Sequence, residues 1–233
     1  MPLCLIVLLI GSFFLYTAQY YHAGDAAKAA MIPDDTVQVR KTEMGWLFDG
    51  PSNENALIFY PGAKVEETAY APLLHDLAGE GMDVFLVSMP FHLAFFRMNG
   101  ADAIMAAYDY DHWYIGGHSL GGAMAAVYAA KHPDNLNGVV LLAAYPTGKL
   151  DDRLQVVTIY GSEDQVLNRK KLEQGRSFLP GNAVLTEIPG GNHAQFGDYG
   201  AQKGDGNASI SAQEQLLQTE EVILQIVKET SGT

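Results

Sequence analysis

The pentapeptide Gly117-His118-Ser119-Leu120-Gly121 has the spacing G-x-S-x-G, in which a serine stands between two glycines. The apolar run 113–115 precedes it and predicts a buried strand, and the alanine-rich segment 123–130 that follows predicts a helix. A serine on a sharp turn from strand to helix projects its hydroxyl into a cleft, and the glycines leave room for the neighbouring backbone. The spacing and its setting therefore predict that Ser119 is a nucleophile.

A serine hydroxyl is a weak nucleophile near neutral pH, so a histidine base and a carboxylate that orients it are expected later in the chain. Asp164 follows the apolar run 156–160, and His193 follows the run 183–188 on a glycine-rich segment. We expect His193 to act as general base and then as general acid, and Asp164 to hydrogen-bond its ring. Glu163 is the alternative carboxylate, and either acidic residue could instead cap the helix that follows.

The negative charge that forms on an attacked carbonyl oxygen is stabilised by backbone N–H groups that already point at it. One such donor is expected from Leu120, the residue after the nucleophile. The second is expected from the turn 61–64, which follows the apolar run 56–60. Ala63 is favoured in that turn because it follows a glycine, and Lys64 is the alternative.

Two further histidines lie near these segments. His118 directly precedes the predicted nucleophile, and we expect it to face the packing below the serine rather than the substrate. His92 follows the predicted strand 83–88 and, together with Lys64, is a candidate to line the substrate pocket. For His92 a structural role is the alternative.

The composition is that of a globular protein and excludes several kinds of site. The chain has 233 residues, of which 48% are hydrophobic and 18% charged, enough for one domain with a full core. Its net charge of −13 disfavours nucleic acid as a partner, because phosphates require a basic surface. The single cysteine, Cys4, cannot form a disulfide within the chain, and no Cys/His cluster has zinc spacing. We predict neither a metal nor another cofactor.

Predicted strands and helices alternate along the chain. This order is typical of an α/β fold with a mostly parallel central sheet, helices on both faces and no large cap domain. Strands are predicted at 36–40, 46–48, 56–60, 83–88, 113–115, 138–144, 156–160 and 183–188, the first two as an edge hairpin, and helices at 66–80, 101–108, 123–130, 165–174 and 211–230. In such a sheet the functional residues collect at the carboxyl ends of the strands, where Ser119, Asp164 and His193 are expected.

Residues 1–22 form a hydrophobic segment without a charged side chain, and the first such side chain is Asp25. We interpret this segment as a membrane anchor that attaches the protein through residues 3–21, so that the protein is membrane-anchored or exported to the extracytoplasmic face. A cleaved signal peptide is an alternative, although the usual basic start is missing, and a buried helix is another. Residues 23–34 are predicted to be a linker and residues 35–233 the folded domain.

Five blocks of the sequence resemble those of the small, lidless alpha/beta hydrolases of bacteria, a group related to the dienelactone hydrolases. They are residues 60–66, 116–125, 141–145, 159–164 and 190–200. The resemblance extends from about Asn55 to the end of the chain. It implies the alpha/beta-hydrolase fold, a catalytic triad of Ser119, Asp164 and His193, and activity on carboxylic esters. Dienelactone hydrolases themselves use a cysteine nucleophile, whereas this chain has Ser119, so their substrate is not expected here.

The sequence thus predicts a serine hydrolase that cleaves a small-molecule carboxylic ester through an acyl-enzyme. The same groups could instead transfer the acyl group to an alcohol or amine, or cleave an amide as an amidase or peptidase. A non-catalytic, membrane-tethered binding domain of the same fold is the alternative from another class. Lipid substrates would require apolar surface near the site, and we expect the apolar residues that could provide it to lie in the core instead: Phe91, Leu93, Phe95 and Phe96.

Overall fold

The computed structural model describes the backbone of residues 2–231 and the side chains of residues 5–228. Within these residues, eight strands form one sheet in the order β1-β2-β4-β3-β5-β6-β7-β8. Strands β3 to β8 run parallel, while β1 and β2 form an antiparallel hairpin that adds to β4. The strands are β1 Gln38–Lys41, β2 Gly45–Asp49, β3 Asn55–Tyr60, β4 Met82–Val87, β5 His112–His118, β6 Gly138–Leu142, β7 Gln155–Gly161 and β8 Val184–Ile188.

Helices cover both faces of the sheet. Helices α2, α3 and α7 contribute to the core on one face, and α4 and α5 contribute to the core on the other. Strands β3, β4 and β6 are buried along their whole length, as expected for strands between two helical layers. The helices are α1 Pro2–Ala18, α2 Asp25–Ala30, α3 Ala71–Gly79, α4 Gly100–Ala107, α5 Leu120–Lys131, α6 Arg169–Gly175 and α7 Ala212–Ser231.

This architecture confirms the predicted α/β fold with its mostly parallel sheet and edge hairpin. Two helices begin at least four residues after their predicted start, and α5 begins three residues before it. The predicted helix 66–80 begins as a short 3-10 helix, Glu67–Tyr70, before α3. The predicted helix 165–174 begins only at Arg169 because the side chain of Asn168 accepts the Lys171 amide and caps it there.

The segment between α1 and β1 packs against the body of the protein. Tyr21 makes a parallel bridge with Val65. Within α2, the amide of Ala27 donates to Asp198 Oδ2 at 2.8 Å, and the Ala27 side chain is fully buried. Residues 23–34, which the sequence predicts to be a linker, therefore include a short helix that belongs to the core.

Helix α1 is apolar and largely uncovered. Its consecutive residues Leu5 to Ile10 each expose at least half of their surface. Phe13 and Phe14 pack edge to face against Phe91, with ring centroids 5.2 and 5.9 Å apart. Among residues 2–231, no helix combines the length and the apolar character needed to cross a membrane.

The segment after β4 differs from the expectation that its apolar residues lie in the core. Leu93 is buried, but Phe91, Phe95 and Phe96 are 41%, 50% and 46% exposed. Phe91 adopts a φ of 58°, and the segment forms two short 3-10 helices, Pro90–His92 and Ala94–Arg97. The rings of Phe91 and Phe96 pack against Phe13 of α1, and Phe95 packs against Phe96. The prediction that these residues lie in the core was therefore wrong for the three phenylalanines, because the irregular backbone after β4 leaves their rings at the surface.

Candidate active site

Ser119 lies on a strained turn between β5 and α5. Its φ of 53° and ψ of −119° are unusual for a residue with a side chain. The two glycines of the motif are required by close backbone contacts: a Cβ on Gly117 would lie 2.3 Å from the carbonyl oxygen of Tyr60, and a Cβ on Gly121 2.1 Å from the same atom. The turn directs the serine to the carboxyl edge of the sheet, where it is half-buried.

Asp164 and His193 form a buried pair at this edge. His193 Nδ1 lies 2.8 Å from Asp164 Oδ2, and the two residues are only 1% and 4% exposed. Asp164 Oδ1 accepts the amides of Val166 and Leu167 at 2.9 and 2.8 Å. Both carboxylate oxygens therefore act as hydrogen-bond acceptors. Because Oδ2 accepts, Nδ1 of His193 must carry the proton that is donated to it. This tautomer leaves Nε2 of His193 as a proton acceptor, which is what a general base needs.

Glu163, the alternative carboxylate, is not brought to His193. Its side chain is exposed and accepts a hydrogen bond from the hydroxyl of Ser162 at 3.1 Å. Asp164 hydrogen-bonds the histidine and also accepts the amides of Val166 and Leu167, which precede α6. It does not cap this helix, because the N-cap is Asn168.

Ser119 and His193 line the same pocket, which has a volume of about 290 Å³. Nε2 of His193 is buried and has no hydrogen-bond partner among the described residues, so the serine hydroxyl and the histidine are not hydrogen-bonded in this conformation. Such contacts are often long in ligand-free enzymes and shorten when substrate binds. The other lining residues are mostly small or apolar: Leu120, Ala123, Ala143, Ala144, Tyr145, Thr147, Val166, Leu167 and Asn168.

The turn after β3 offers one amide for an oxyanion. The amide of Gly62 donates to Tyr70 Oη at 3.0 Å, and the amide of Lys64 donates to the His92 carbonyl at 2.9 Å. Within the described chain, the Ala63 amide between them has no such partner. This turn packs on the first turn of α5, since a Cβ on Gly121 would lie 2.4 Å from the Pro61 carbonyl oxygen. Of the two amides, that of Ala63 is therefore free to donate to another group, whereas that of Lys64 is already engaged.

Leu120 is the first residue of α5, so its amide has no partner within the helix. It follows Ser119 directly, and the helix N-terminus adds a partial positive charge at this point. A negative oxygen beside the serine would therefore face a favourable potential.

His118 lies beneath the site, as expected from the sequence. It is 1% exposed, its Nδ1 lies 2.8 Å from Tyr70 Oη, and its ring centroid lies 4.5 Å from that of His193. Burial and the neighbouring His193 hold the pKa of His118 well below the usual range, so it stays neutral. Sequence reasoning did not identify Tyr70, whose spacing within the segment 66–80 indicated only a core position.

Lys64 and His92, the two candidates for the substrate pocket, lie beside the N-terminal segment. Lys64 Nζ is 4.1 Å from the centroid of the Tyr16 ring, and the His92 ring stacks on Tyr20 at 4.0 Å. Neither residue lines the pocket that holds Ser119. Their backbones meet instead, through the Lys64 amide and the His92 carbonyl, and support the turn that carries Ala63.

In the part of the chain that the structure describes, no group of three or more His, Cys, Asp or Glu side chains is placed to hold a metal ion. The groups that converge at the carboxyl edge of the sheet are a hydroxyl, an imidazole paired with a carboxylate, and unused backbone amides. These are the groups of a nucleophilic site.

Solved structures share this architecture. A predicted CIB-like hydrolase from Thermoplasma acidophilum is 16% identical with a TM-score of 0.59, and the match covers 80% of this chain and 98% of that one. Est1E from Butyrivibrio proteoclasticus is 14% identical with a TM-score of 0.59 and coverages of 83% and 100%. A dienelactone hydrolase from Anabaena variabilis is 14% identical with a TM-score of 0.59 and coverages of 82% and 98%. At these identities the likeness shows the fold.

The sequence comparison is more specific. No curated protein matches the chain. A model of the alpha/beta hydrolase family matches residues 56–217, a span that contains the serine turn, the buried Asp164–His193 pair and the turn after β3. This span is more than half of the 233 residues. The chain therefore belongs to the alpha/beta hydrolase family.

Proposed function

We propose that this protein is a serine hydrolase that cleaves carboxylic esters through an acyl-enzyme. The observation that carries the proposal is the buried Asp164–His193 pair, whose free Nε2 shares one pocket with the strained Ser119. A buried histidine nitrogen without a hydrogen-bond partner lowers the stability of the fold. Such a nitrogen is typical of an active site in which it accepts a proton from a reacting group.

In the proposed reaction, the hydroxyl of Ser119 attacks the ester carbonyl and its proton passes to Nε2 of His193. Asp164 holds the ring and stabilises the imidazolium that forms. The amides of Leu120 and Ala63 stabilise the oxyanion. Collapse of the tetrahedral intermediate breaks the ester C–O bond, and His193 gives its proton to the departing alcohol. Water then attacks the acyl-enzyme, with His193 again as base, and releases the acid.

The pocket favours a small, uncharged acyl group. It has a volume of about 290 Å³, and the side chains that line it include no lysine or arginine to pair with an anionic group. A structure of Est1E from Butyrivibrio proteoclasticus, 15% identical to this chain, has ferulic acid bound. That acid belongs to the neighbour, but it supports a small carboxylic ester as the substrate class to test first.

The direct test is hydrolysis of p-nitrophenyl esters from acetate to long chains by the full chain and by Ser119→Ala. We expect turnover with the shorter esters and its loss in the variant. The same reaction with added alcohol or amine separates hydrolysis from acyl transfer, and anilide substrates test the amidase alternative. A folded protein without turnover on any of these would favour the non-catalytic binding domain.

We also propose that residues 3–21 attach the protein to a membrane. Helix α1 presents apolar side chains on all sides, and Phe91, Phe95 and Phe96 extend this apolar surface onto the folded body. A helix that is hydrophobic all round favours an apolar surrounding over water.

A chain lacking residues 1–15 tests this attachment, because it retains the bridge between Tyr21 and Val65. Flotation with liposomes should carry the full chain and leave the shortened chain behind. Equal behaviour of the two proteins would contradict the proposal.

A further inference from the structure

Tyr70 connects two segments of the candidate site through one buried hydroxyl. It ends the 3-10 helix before α3, is completely buried, and packs against Phe59 with ring centroids 5.1 Å apart. Its Oη accepts the amide of Gly62 at 3.0 Å and lies 2.8 Å from Nδ1 of His118. Gly62 directly precedes Ala63, and His118 directly precedes Ser119. A single side chain thus bonds to the neighbours of the proposed oxyanion donor and of the nucleophile.

The direction of these hydrogen bonds follows from the groups present. A backbone N–H can only donate, so Tyr70 Oη accepts from Gly62 and its own proton is left for Nδ1 of His118. Burial raises the pKa of Tyr70, which therefore keeps that proton. Burial and His193 lower the pKa of His118, which stays neutral and can accept at Nδ1. The chain of bonds runs from the Gly62 amide through Tyr70 to Nδ1 of His118. The other ring nitrogen of His118, Nε2, is buried and has no hydrogen-bond partner among the described residues.

We propose that Tyr70 and His118 are positioning residues that set the oxyanion turn against the nucleophile turn. This inference rests on the proposed function. Neither side chain lines the pocket, so neither acts on the substrate directly. By accepting the Gly62 amide, the tyrosine hydroxyl fixes the position of the turn of residues 61–64, so that the Ala63 amide can donate to the oxyanion. The glycine at residue 62 permits this approach, since a Cβ there would lie 2.7 Å from Tyr70 Oη and 2.8 Å from His118 Nδ1.

The effect of losing this hydroxyl should appear in the transition state. In Tyr70→Phe the Gly62 amide loses its acceptor, and the turn can rotate to find another. Loss of a complete oxyanion donor costs roughly 100- to 1,000-fold in kcat, so a misplaced donor should cost roughly 10- to 100-fold. KM should change little, because the Ala63 amide forms a weaker hydrogen bond with the carbonyl oxygen of the bound ester than with the oxyanion of the transition state.

Tyr60→Phe is the matched control. Tyr60 is also fully buried, and its hydroxyl likewise accepts one backbone amide, from Ala101 at 3.2 Å, and donates to one acceptor, the Met98 carbonyl at 2.7 Å. The two variants remove the same atom and the same number of hydrogen bonds, and neither tyrosine lines the pocket. A loss of stability alone would therefore affect the two variants alike.

The experiment measures kcat and KM on one p-nitrophenyl ester, and the affinity for a boronic acid and for the carboxylate product with the same acyl group. We expect Tyr70→Phe to lose kcat and boronic-acid affinity by similar factors, with KM and product affinity within about twofold of wild type. Tyr60→Phe should keep wild-type kcat. Equal kcat in the two variants, or a Tyr70→Phe defect confined to KM, would overturn the inference.

A second pair of variants tests His118. In His118→Asn the amide oxygen can stand near the position of Nδ1 and accept from Tyr70, whereas His118→Leu removes the acceptor. We expect the asparagine variant to retain about tenfold more kcat than the leucine variant, and equal values would overturn the role of His118. Wild-type protein that neither hydrolyses esters nor reacts with a fluorophosphonate would instead refute the proposed function, independently of these variants.

Discussion

The environment of Asp164 leads to a sharp prediction for Asp164→Asn. Its Oδ1 accepts two backbone amides, from Val166 and Leu167, which can only donate. An asparagine side chain must therefore place its oxygen at that position and its NH₂ group at the position of Oδ2, 2.8 Å from His193 Nδ1. The ring nitrogen then has to accept, and the histidine proton moves to Nε2. In this tautomer, His193 cannot take a proton from Ser119.

The expected loss is large because the substitution inverts the tautomer while keeping the shape. In the serine protease that serves as the general example of such a change, kcat falls about 10⁴-fold. A similar factor here corresponds to about 5.5 kcal/mol of transition-state stabilisation. KM should stay close to that of the wild type, since Asp164 does not line the pocket.

The assay is steady-state hydrolysis of a p-nitrophenyl ester, with Glu163→Gln as the matched control. Glu163 is the neighbouring acidic residue, it is exposed, and its removal should leave kcat within about twofold of wild type. Retention of more than a tenth of the wild-type kcat in Asp164→Asn would show that Asp164 does not set the tautomer of His193. A large loss in Glu163→Gln would show that the other carboxylate orients the histidine.

Two further predictions concern stability. Gly121→Ala should lower the free energy of unfolding by about 3 kcal/mol, because the new Cβ would lie 2.1 Å from the Tyr60 carbonyl oxygen. Gly148→Ala should change it by less than about 0.5 kcal/mol, because no atom lies within 4 Å of a Cβ at that position. Urea unfolding of the two variants checks this prediction, and equal midpoints would contradict it. Burial raises the pKa of Asp83 to about 6, with a smaller contribution from Asp49. The folded state therefore holds the proton more tightly than the unfolded state, and stability should fall as pH rises from about 4 to 6, by up to about 1.4 kcal/mol per pH unit. Asp83→Asn should remove this part of the slope in urea unfolding at pH 4, 5, 6 and 7, and an unchanged slope would refute the assignment.

The features that could be predicted from the sequence depend on local rules. The turn at Ser119 requires glycines at fixed spacing, and the order of serine, acid and histidine follows from a sheet whose strands end at one edge. The alternation of strands and helices gives the layered fold in the same way. These rules need no knowledge of which distant residues meet.

The features that could not be predicted depend on contacts between distant parts of the chain. The sequence of segment 23–34 is typical of a linker, but the amide of Ala27 donates to Asp198, which lies 171 residues later in the chain. Tyr70 lies at a helical spacing that indicates only burial, and its role emerges where its hydroxyl reaches His118, 48 residues away. Phe91 faces outward because its backbone adopts a positive φ. A positive φ is usually predicted from a glycine, and this position holds a phenylalanine.

The proposed function requires that Ser119 is the nucleophile, which covalent labelling can establish. The full chain is treated with a fluorophosphonate, its intact mass is measured, and the modified peptide is identified, with Ser119→Ala as the comparison. We predict one adduct per chain, located on Ser119, formed in step with the loss of ester hydrolysis and absent from the variant. Hydrolysis that persists in Ser119→Ala, or an adduct on another residue that accompanies the loss of activity, would show that Ser119 is not the nucleophile.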